Sequence, residues 1–237
     1  MASISESGYG ARLQNAQTIS SFLKGFTNYS PPRTEDEIVA FEKLLDDCSK
    51  VNTLIASNTQ SYTLAIKNRS DVFSGKDESS VRMIISPISK AVQSQYGKTS
   101  REYTSIATIV ARMRSSKTVK PPTNPEEDQK ETISKSEMSY GSQLQTFKDL
   151  VASLEQLNNF SPPKENLRID KLKLLIDNLE RLNQEVTTKT FPLSQARKQR
   201  RSLFEELNVR VQRIKSYVSA MYGNKSSEYK AISKLRI

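Results

Sequence analysis

Apolar residues recur along this chain at intervals of three and four, the spacing of one face of an α-helix. The longest stretches begin at Ile38 and Ile169, and polar residues fill the positions between the apolar ones. The apolar positions of the first stretch are Phe41, Leu44, Leu45, Cys48, Val51 and Ile55, and those of the second are Leu172, Leu175, Ile176, Leu179, Leu182 and Val186. No segment shows the two-residue alternation of a strand. The pattern predicts an all-α protein.

The sequence also contains an internal repeat. Tyr9-Gly10 returns as Tyr140-Gly141, and Asn28-Tyr29-Ser30-Pro31-Pro32 returns as Asn159-Phe160-Ser161-Pro162-Pro163, both at an offset of 131 (140 − 9). Later, Tyr96-Gly97 returns as Tyr222-Gly223 at an offset of 126 (222 − 96), so the first copy carries about five extra residues. A duplication of this kind predicts two tandem, internally duplicated three- or four-helix bundles related by a pseudo-repeat.

The predicted domain boundaries follow this duplication. Residues 1–116 form repeat 1, residues 117–135 form a linker that contains proline and glutamate, and residues 136–237 form repeat 2. Within repeat 1, the Gly75–Ser79 region predicts a loop. Within repeat 2, the segment from Pro192 to Phe204 could be a separate helix or the first turns of a longer one. Pro192 favours a break at Phe191, because proline disfavours helical geometry in the residue before it.

The landmarks of the two copies resemble a known pattern. The repeated Asn-(Tyr/Phe)-Ser-Pro-Pro turn and the Tyr-Gly-x-x-Ser-x-Glu-Tyr ending are similar to those of uncharacterised bacterial tandem helical-bundle proteins. The resemblance covers most of the chain outside the linker. It implies a bacterial origin and a duplicated all-α fold, and it implies no established activity and no active-site residue.

Two interpretations apply to the landmark residues. The tyrosines of the Tyr-Gly corners, Tyr96, Tyr103, Tyr222 and Tyr229, could form an aromatic ligand platform or could wedge the last helix of each repeat onto its neighbours. Helix packing alone explains their placement. The Ser-Pro-Pro segments could be proline-rich ligands but are better explained as interhelical turns. Gly97 and Gly223 are suited to end helices, and Ser100 and Ser226 to begin the next ones.

The composition excludes several kinds of chemistry. The 237 residues include no histidine, so histidine-based triads and histidine metal ligands are impossible. The one cysteine, Cys48, corresponds to Leu179 in the second copy, which indicates a core position. The acidic pairs Asp46-Asp47, Glu126-Glu127 and Glu205-Glu206 could be hard-metal or acid/base groups, but solvated helix faces explain them better, since adjacent helical residues diverge by about 100°. We therefore predict no enzymatic activity, no metal and no cofactor.

The cysteine count and the lack of a long apolar run also bear on location. One cysteine cannot form an internal disulfide, no apolar stretch approaches the roughly 18 residues of a membrane span, and the start lacks a secretory pattern. A cytoplasmic protein with no transmembrane segment is the simplest prediction.

Positive charge is the best functional clue. The 36 lysines and arginines exceed the 26 acidic residues, which gives a formal net charge of +10. Part of the excess clusters near the end of repeat 2, at the candidate anion-binding residues Arg197, Lys198, Arg200, Arg201, Arg210, Arg213 and Lys215. The same residues could instead form an ordinary soluble surface. We predict a structural or scaffold protein with a protein partner or self-association, and nonspecific nucleic-acid or polyanion binding is the alternative.

Overall fold

Seven α-helices contain most of the residues that the structure describes. The computed structural model describes residues 8–114 and 139–237. Its helices are α1 (Tyr9–Lys24), α2 (Ile38–Ser74), α3 (Val81–Tyr96), α4 (Arg101–Arg114), α5 (Tyr140–Glu155), α6 (Ile169–Tyr222) and α7 (Ser227–Ser233). Short 3₁₀ helices at Thr34–Asp36 and Glu165–Leu167 precede α2 and α6. No strand occurs in the two described ranges, and the prediction of an all-α protein is confirmed.

The extra residues of the first copy divide one long helix into two. Helix α2 ends at Ser74 and α3 begins at Val81, so the loop predicted around Gly75–Ser79 is confirmed. A Cβ atom at Gly75 would collide with the backbone carbonyl of Asp71, which is why glycine stands at this sharp exit from the helix. The second copy lacks the insertion, and its corresponding segments form the single helix α6 of 54 residues.

The helix break predicted at Phe191 is wrong, because α6 continues through Pro192. A proline inside a helix removes one backbone hydrogen bond and typically costs about 3 kcal/mol. Here Pro192 is exposed, and so is Thr188, whose carbonyl loses its usual donor and can bind water. The following residues Leu193 and Ala196 are buried, and their packing favours continuation of the helix.

The Tyr-Gly corners have the predicted local geometry. Gly97 and Gly223 have positive φ angles of 90° and 93°. Directly after each corner, the Ser100 and Ser226 hydroxyls accept hydrogen bonds from backbone amides three residues later, at 3.0 and 3.1 Å. Both serines therefore begin a helix, as the sequence predicts.

The chain divides into two compact units that both draw on the two repeats. Unit 1 consists of the described parts of Met1–Tyr62 and Lys189–Ile237, and unit 2 of the described parts of Thr63–Thr188. The unit boundaries therefore fall inside α2 and inside α6. The domain boundaries 1–116 and 136–237 stay a prediction, and the predicted linker 117–135 lies outside the described residues.

Each unit has its own apolar core. In unit 1, α1 and the first part of α2 pack with the last part of α6 and with α7; the core includes Leu13, Ile19, Leu23, Phe41, Leu44, Cys48, Phe204, Leu207, Val211, Ile214 and Ile232. In unit 2, the end of α2 packs with α3, α4, α5 and the first part of α6; the core includes Phe73, Ile84, Ile88, Ile106, Phe147, Leu150, Leu154, Leu172 and Leu179. Each core thus combines the N-terminal part of one repeat with the C-terminal part of the other.

The continuity of the long helices explains why each core contains residues of both repeats. Apolar residues at the start of α6 cannot pack against apolar residues near its end, because one uninterrupted helix does not fold back on itself. In unit 2, the first part of α6 therefore buries its apolar face against helices of repeat 1. In unit 1, the last part of α6 buries its apolar face against other helices of repeat 1.

Candidate interaction surfaces

The tyrosines of the Tyr-Gly corners bind the Ser-Pro-Pro turn of the opposite repeat. In unit 2, the Tyr96 hydroxyl donates to the carbonyl oxygen of Asn158 at 2.6 Å. In unit 1, the Tyr222 hydroxyl donates to the carbonyl oxygen of Thr27, the position corresponding to Asn158, at 2.7 Å. Partial burial is the main cause that raises the pKa of both phenols. The remaining tyrosines of the set are half-buried against the two cores: Tyr103 and Tyr229. These contacts favour the packing interpretation over a ligand platform.

The two Ser-Pro-Pro turns are held by hydrogen bonds to their backbones. The Ser30 amide donates to the Tyr217 hydroxyl oxygen at 3.3 Å, and the same hydroxyl donates to the Ser30 carbonyl at 2.7 Å. In unit 2 the Ser161 amide donates to Gln95 Oε1 at 3.0 Å, and Gln95 Nε2 donates to the Asn159 carbonyl at 2.6 Å. These turns lie between helices and contact the fold through their backbone groups, which favours the interhelical-turn interpretation.

A second pair of matching contacts was missed by the sequence analysis. The Arg200 guanidinium lies 4.0 Å from the centre of the Tyr9 ring, and that of Arg69 lies 4.0 Å from the centre of the Tyr140 ring. Each tyrosine also packs edge-on against a phenylalanine, Tyr9 on Phe204 at 4.8 Å and Tyr140 on Phe73 at 4.9 Å. All three residue types recur at the offset of 131, a signal that could have revealed these contacts. Arg200, one of the seven candidate anion-binding residues, therefore packs within unit 1.

Arg210 and Arg213 bind the 3₁₀ segment that precedes α2. Arg210 Nη1 donates to the Glu35 carbonyl at 2.7 Å, and its Nη2 pairs with the Glu206 carboxylate. Arg213 forms a two-point contact with the buried Asp36 carboxylate, at 2.9 Å from Nε and 2.8 Å from Nη2, and reaches Glu35 at 3.0 Å. Hydrogen bonding to Asp36 raises the pKa of the Arg213 guanidinium above its already high value. Both arginines are committed to the fold of unit 1.

Lys215 binds the C-terminal end of α7. Its Nζ donates to the carbonyl oxygens of Ser233 at 3.2 Å and Leu235 at 2.5 Å, groups that have no partner within the helix. Burial lowers the pKa of the Lys215 ammonium. Four of the seven candidate residues thus have intramolecular partners.

The other three candidates lie exposed on α6, beside two exposed apolar residues. Arg197, Lys198 and Arg201 are exposed, and their side chains make no hydrogen bond or ion pair with the described parts of the chain. Phe191 is 66% exposed and Val209 is 50% exposed. At about 100° per residue, Phe191, Lys198 and Val209 fall within roughly 20° of one line along the helix, and on one side of that line Arg201 lies about 80° and Arg197 about 120° round from Phe191. We call these five residues the α6 outer face.

The buried cysteine is poorly suited to nucleophilic chemistry. Cys48 is fully buried, as is Leu179 at the corresponding position of the second copy. Burial, with a smaller contribution from the negative charges of Asp47 and Glu206, raises the pKa of the Cys48 thiol to about 11. The nucleophilic thiolate is therefore a minor species near neutral pH.

The acidic pairs in the described part of the chain do not form a metal site. Asp46 pairs with Lys50 at 2.5 Å, and Glu206 pairs with Arg210. Glu126-Glu127 lies outside the described residues. Across residues 8–114 and 139–237, no group of three or more cysteine, aspartate or glutamate side chains could hold a metal ion.

Neither a membrane-spanning helix in the described ranges nor a match among known proteins is found. Among the helices in the described ranges, none combines the length and the apolar character needed to cross a bilayer. Comparison with known protein families, curated proteins and solved structures finds no match for the chain.

Proposed function

We propose that this chain is a non-catalytic structural or protein-interaction (scaffold) protein that presents the α6 outer face to a protein partner. The observation that carries the proposal is Phe191, a large aromatic side chain that is 66% exposed in the interior of a long helix. Aromatic residues and arginine are enriched at protein–protein interfaces. The exposed cations beside Phe191 suit a partner with an acidic rim around an apolar pocket.

The proposal also includes an internal duplication of the helical bundle and a bacterial, cytoplasmic origin. Matching hydrogen bonds of Tyr96 and Tyr222, and matching arginine–tyrosine contacts of Arg69 and Arg200, support an internal duplication of the helical bundle. The resemblance of the landmarks and the use of one cysteine support a bacterial, cytoplasmic setting.

The scaffold proposal predicts a cross-link that depends on Phe191. A photoreactive amino acid at exposed Gln195, one helical turn from Phe191, should cross-link a discrete partner in source cells. The substitution Phe191→Asp should abolish that adduct, because it places a charge in the apolar contact. Leu174→Asp is the matched control, since Leu174 is 60% exposed on the same helix.

The adduct mass separates the two kinds of partner. An adduct of twice the chain mass of 26.8 kDa indicates self-association, and any other discrete mass indicates a different protein. Absence of a discrete adduct, or equal loss with both aspartate substitutions, would contradict docking at the α6 outer face.

The second candidate function is nonspecific binding of nucleic acid or another polyanion. The observation that favours it is the placement of Arg197, Lys198 and Arg201 on two adjacent turns of α6, within a chain of net charge +10. Three phosphate contacts would release about three counterions, which makes the affinity fall steeply with salt.

This alternative predicts saturable, salt-sensitive binding of labelled single- and double-stranded nucleic acid. Changing all three α6 cations to glutamate should reduce the affinity at least tenfold at low salt. The control is a triple glutamate variant with the same charge change at exposed Lys43, Lys67 and Lys76. No binding by the original chain at low salt, or equal loss in both variants, would exclude a defined α6 site.

A further inference from the structure

Unit 2 has an open groove where unit 1 is filled by side chains. The groove runs along α3 beside the 3₁₀ segment Glu165–Leu167 and consists of adjoining cavities of about 480, 160 and 400 Å³. Pro87 and Leu167 line the first two cavities, and Ile84 and Asn166 line the second and third. Each cavity thus shares wall residues with the next, and the three together are called the groove.

Three residues of α6 fill the corresponding space in unit 1. Arg210 reaches the Glu35 carbonyl, Arg213 binds the Asp36 carboxylate, and Tyr217 binds the Ser30 backbone. Tyr217 also packs against Tyr29, with the ring centres 5.5 Å apart. Two guanidinium groups and one phenol thus join α6 to the segment that precedes α2.

Unit 2 has shorter, apolar residues at the same three positions. The offset of 126 replaces the three α6 residues with Ile84, Pro87 and Ala91. On the facing segment, the offset of 131 places Asn166 and Leu167 where unit 1 has Glu35 and Asp36. The groove is therefore a space that these substitutions leave unfilled.

One polar atom in the groove lacks a hydrogen-bond donor. Asn166 Oδ1 is buried without a partner and lines two of the cavities. A buried acceptor without a donor is destabilising, so a donating group in the groove would be favoured. Glu78 and Glu165 line the same end together with Lys164 and Lys171, so a guanidinium there would compete with these lysines for the two carboxylates. Their pairs with Lys164 and Lys171 are long, at 3.6 and 3.4 Å, and solvent-exposed, so they can be shared.

We propose that the groove of unit 2 binds a peptide segment of a partner protein that carries an arginine and an aromatic residue three positions apart. The guanidinium of the peptide binds at Asn166, and its aromatic ring packs near Ala91. In unit 1, Arg210 binds the corresponding residue Glu35, and Tyr217 packs against Tyr29. Ile84 and Ala91 are seven helical residues apart, about 10.5 Å. An extended peptide covers that distance in three residues at about 3.3 Å each. The inference rests on the protein-interaction role and uses a surface separate from the α6 outer face.

Binding of short labelled peptides to the purified full chain tests this proposal. The probes are fluorescein-labelled Ala-Arg-Gly-Gly-Tyr-Ala and the reversed order Ala-Tyr-Gly-Gly-Arg-Ala, measured by fluorescence anisotropy. At least one should bind saturably, with a Kd on the order of 10–100 μM for a ligand of this size. Replacing its arginine or its tyrosine with alanine should weaken binding at least tenfold. No saturation of either probe by 1 mM protein overturns the proposal.

Two variants locate the binding in the groove. Ala91→Tyr should weaken binding at least tenfold, because it introduces the side chain that fills the corresponding space in unit 1. Asn166→Leu should do the same by removing the acceptor, and it decides the question if circular dichroism shows that Ala91→Tyr does not fold. Ala56→Tyr, at an exposed position in unit 1, is the control and should bind normally. Unchanged affinity in folded Asn166→Leu overturns the proposal.

A further variant separates this inference from the scaffold proposal. Phe191→Asp should bind the peptide normally, because Phe191 is not part of the groove. Loss of the cross-linked partner without loss of peptide binding would show two independent surfaces. Loss of peptide binding in Phe191→Asp would overturn the assignment to the groove.

Discussion

Replacing Arg213 with methionine should destabilise unit 1 by about 3 kcal/mol, because it leaves the Asp36 carboxylate without its guanidinium. Asp36 is only 3% exposed and receives two hydrogen bonds from Arg213. Removing one member of a buried ion pair typically costs about 3–5 kcal/mol, and the lower end applies because the Arg213 side chain is 30% exposed. Urea unfolding followed by circular dichroism measures the change.

The double substitution Arg213→Met with Asp36→Leu should recover most of that loss. Unit 2 has the apolar residues Pro87 and Leu167 at the corresponding positions, and Leu167 is 2% exposed in its core. Replacement of a whole buried ion pair by apolar residues is often neutral or stabilising. A double variant as unstable as the sum of the two single variants would contradict this view, since additivity means that the two side chains are not coupled.

The sequence predicts the helices well because each one has to bury an apolar stripe. Ile38 to Ile55 and Ile169 to Val186 both form helices with their apolar positions largely buried. The pairing of those stripes is not predictable in the same way. The two apolar stripes have nearly the same pattern, so periodicity does not show which other helices each of them packs against.

Pro192 shows how one local rule affects the prediction of the whole fold. Proline disfavours helix locally, but the buried residues Leu193 and Ala196 continue the apolar face beyond it. Tertiary packing offsets the local penalty, and α6 stays continuous. Continuity then forces the two parts of repeat 2 into different units.

The roles of the seven candidate anion-binding residues were only partly predictable, because they depend on contacts between distant parts of the chain. Seven basic residues are visible as a cluster in the sequence, but their partners are distant: Arg213 and Asp36 are 177 residues apart, and Arg210 and Glu35 are 175 apart. Sequence spacing carries no information on such contacts. It also gives no sign that Phe191 lies on the exposed side of α6, because an aromatic residue beside buried positions is usually part of the core.

Cutting the chain between its two repeats should leave a single stable complex. A protease site placed within Pro121 to Asp128, in the predicted linker, would separate repeat 1 from repeat 2 covalently. Each unit would still contain helices from both fragments: unit 1 needs α1 from the first and α7 from the second. Separation would expose buried residues of α1 such as Leu13, Ile19 and Leu23, at about 1.5–3 kcal/mol each.

Size-exclusion chromatography with light scattering distinguishes this result from independent bundles. We expect one species near the mass of the intact chain, 26.8 kDa, that resolves into two fragments only in concentrated urea. The uncut chain with the same inserted site is the control for any effect of the insertion. Two folded fragments that separate without denaturant would contradict the exchanged arrangement and support repeats that fold on their own. Because the long helices α2 and α6 each contribute to both cores, a fragment alone should lose most of its helical circular dichroism signal, whereas mixing the two fragments should restore it.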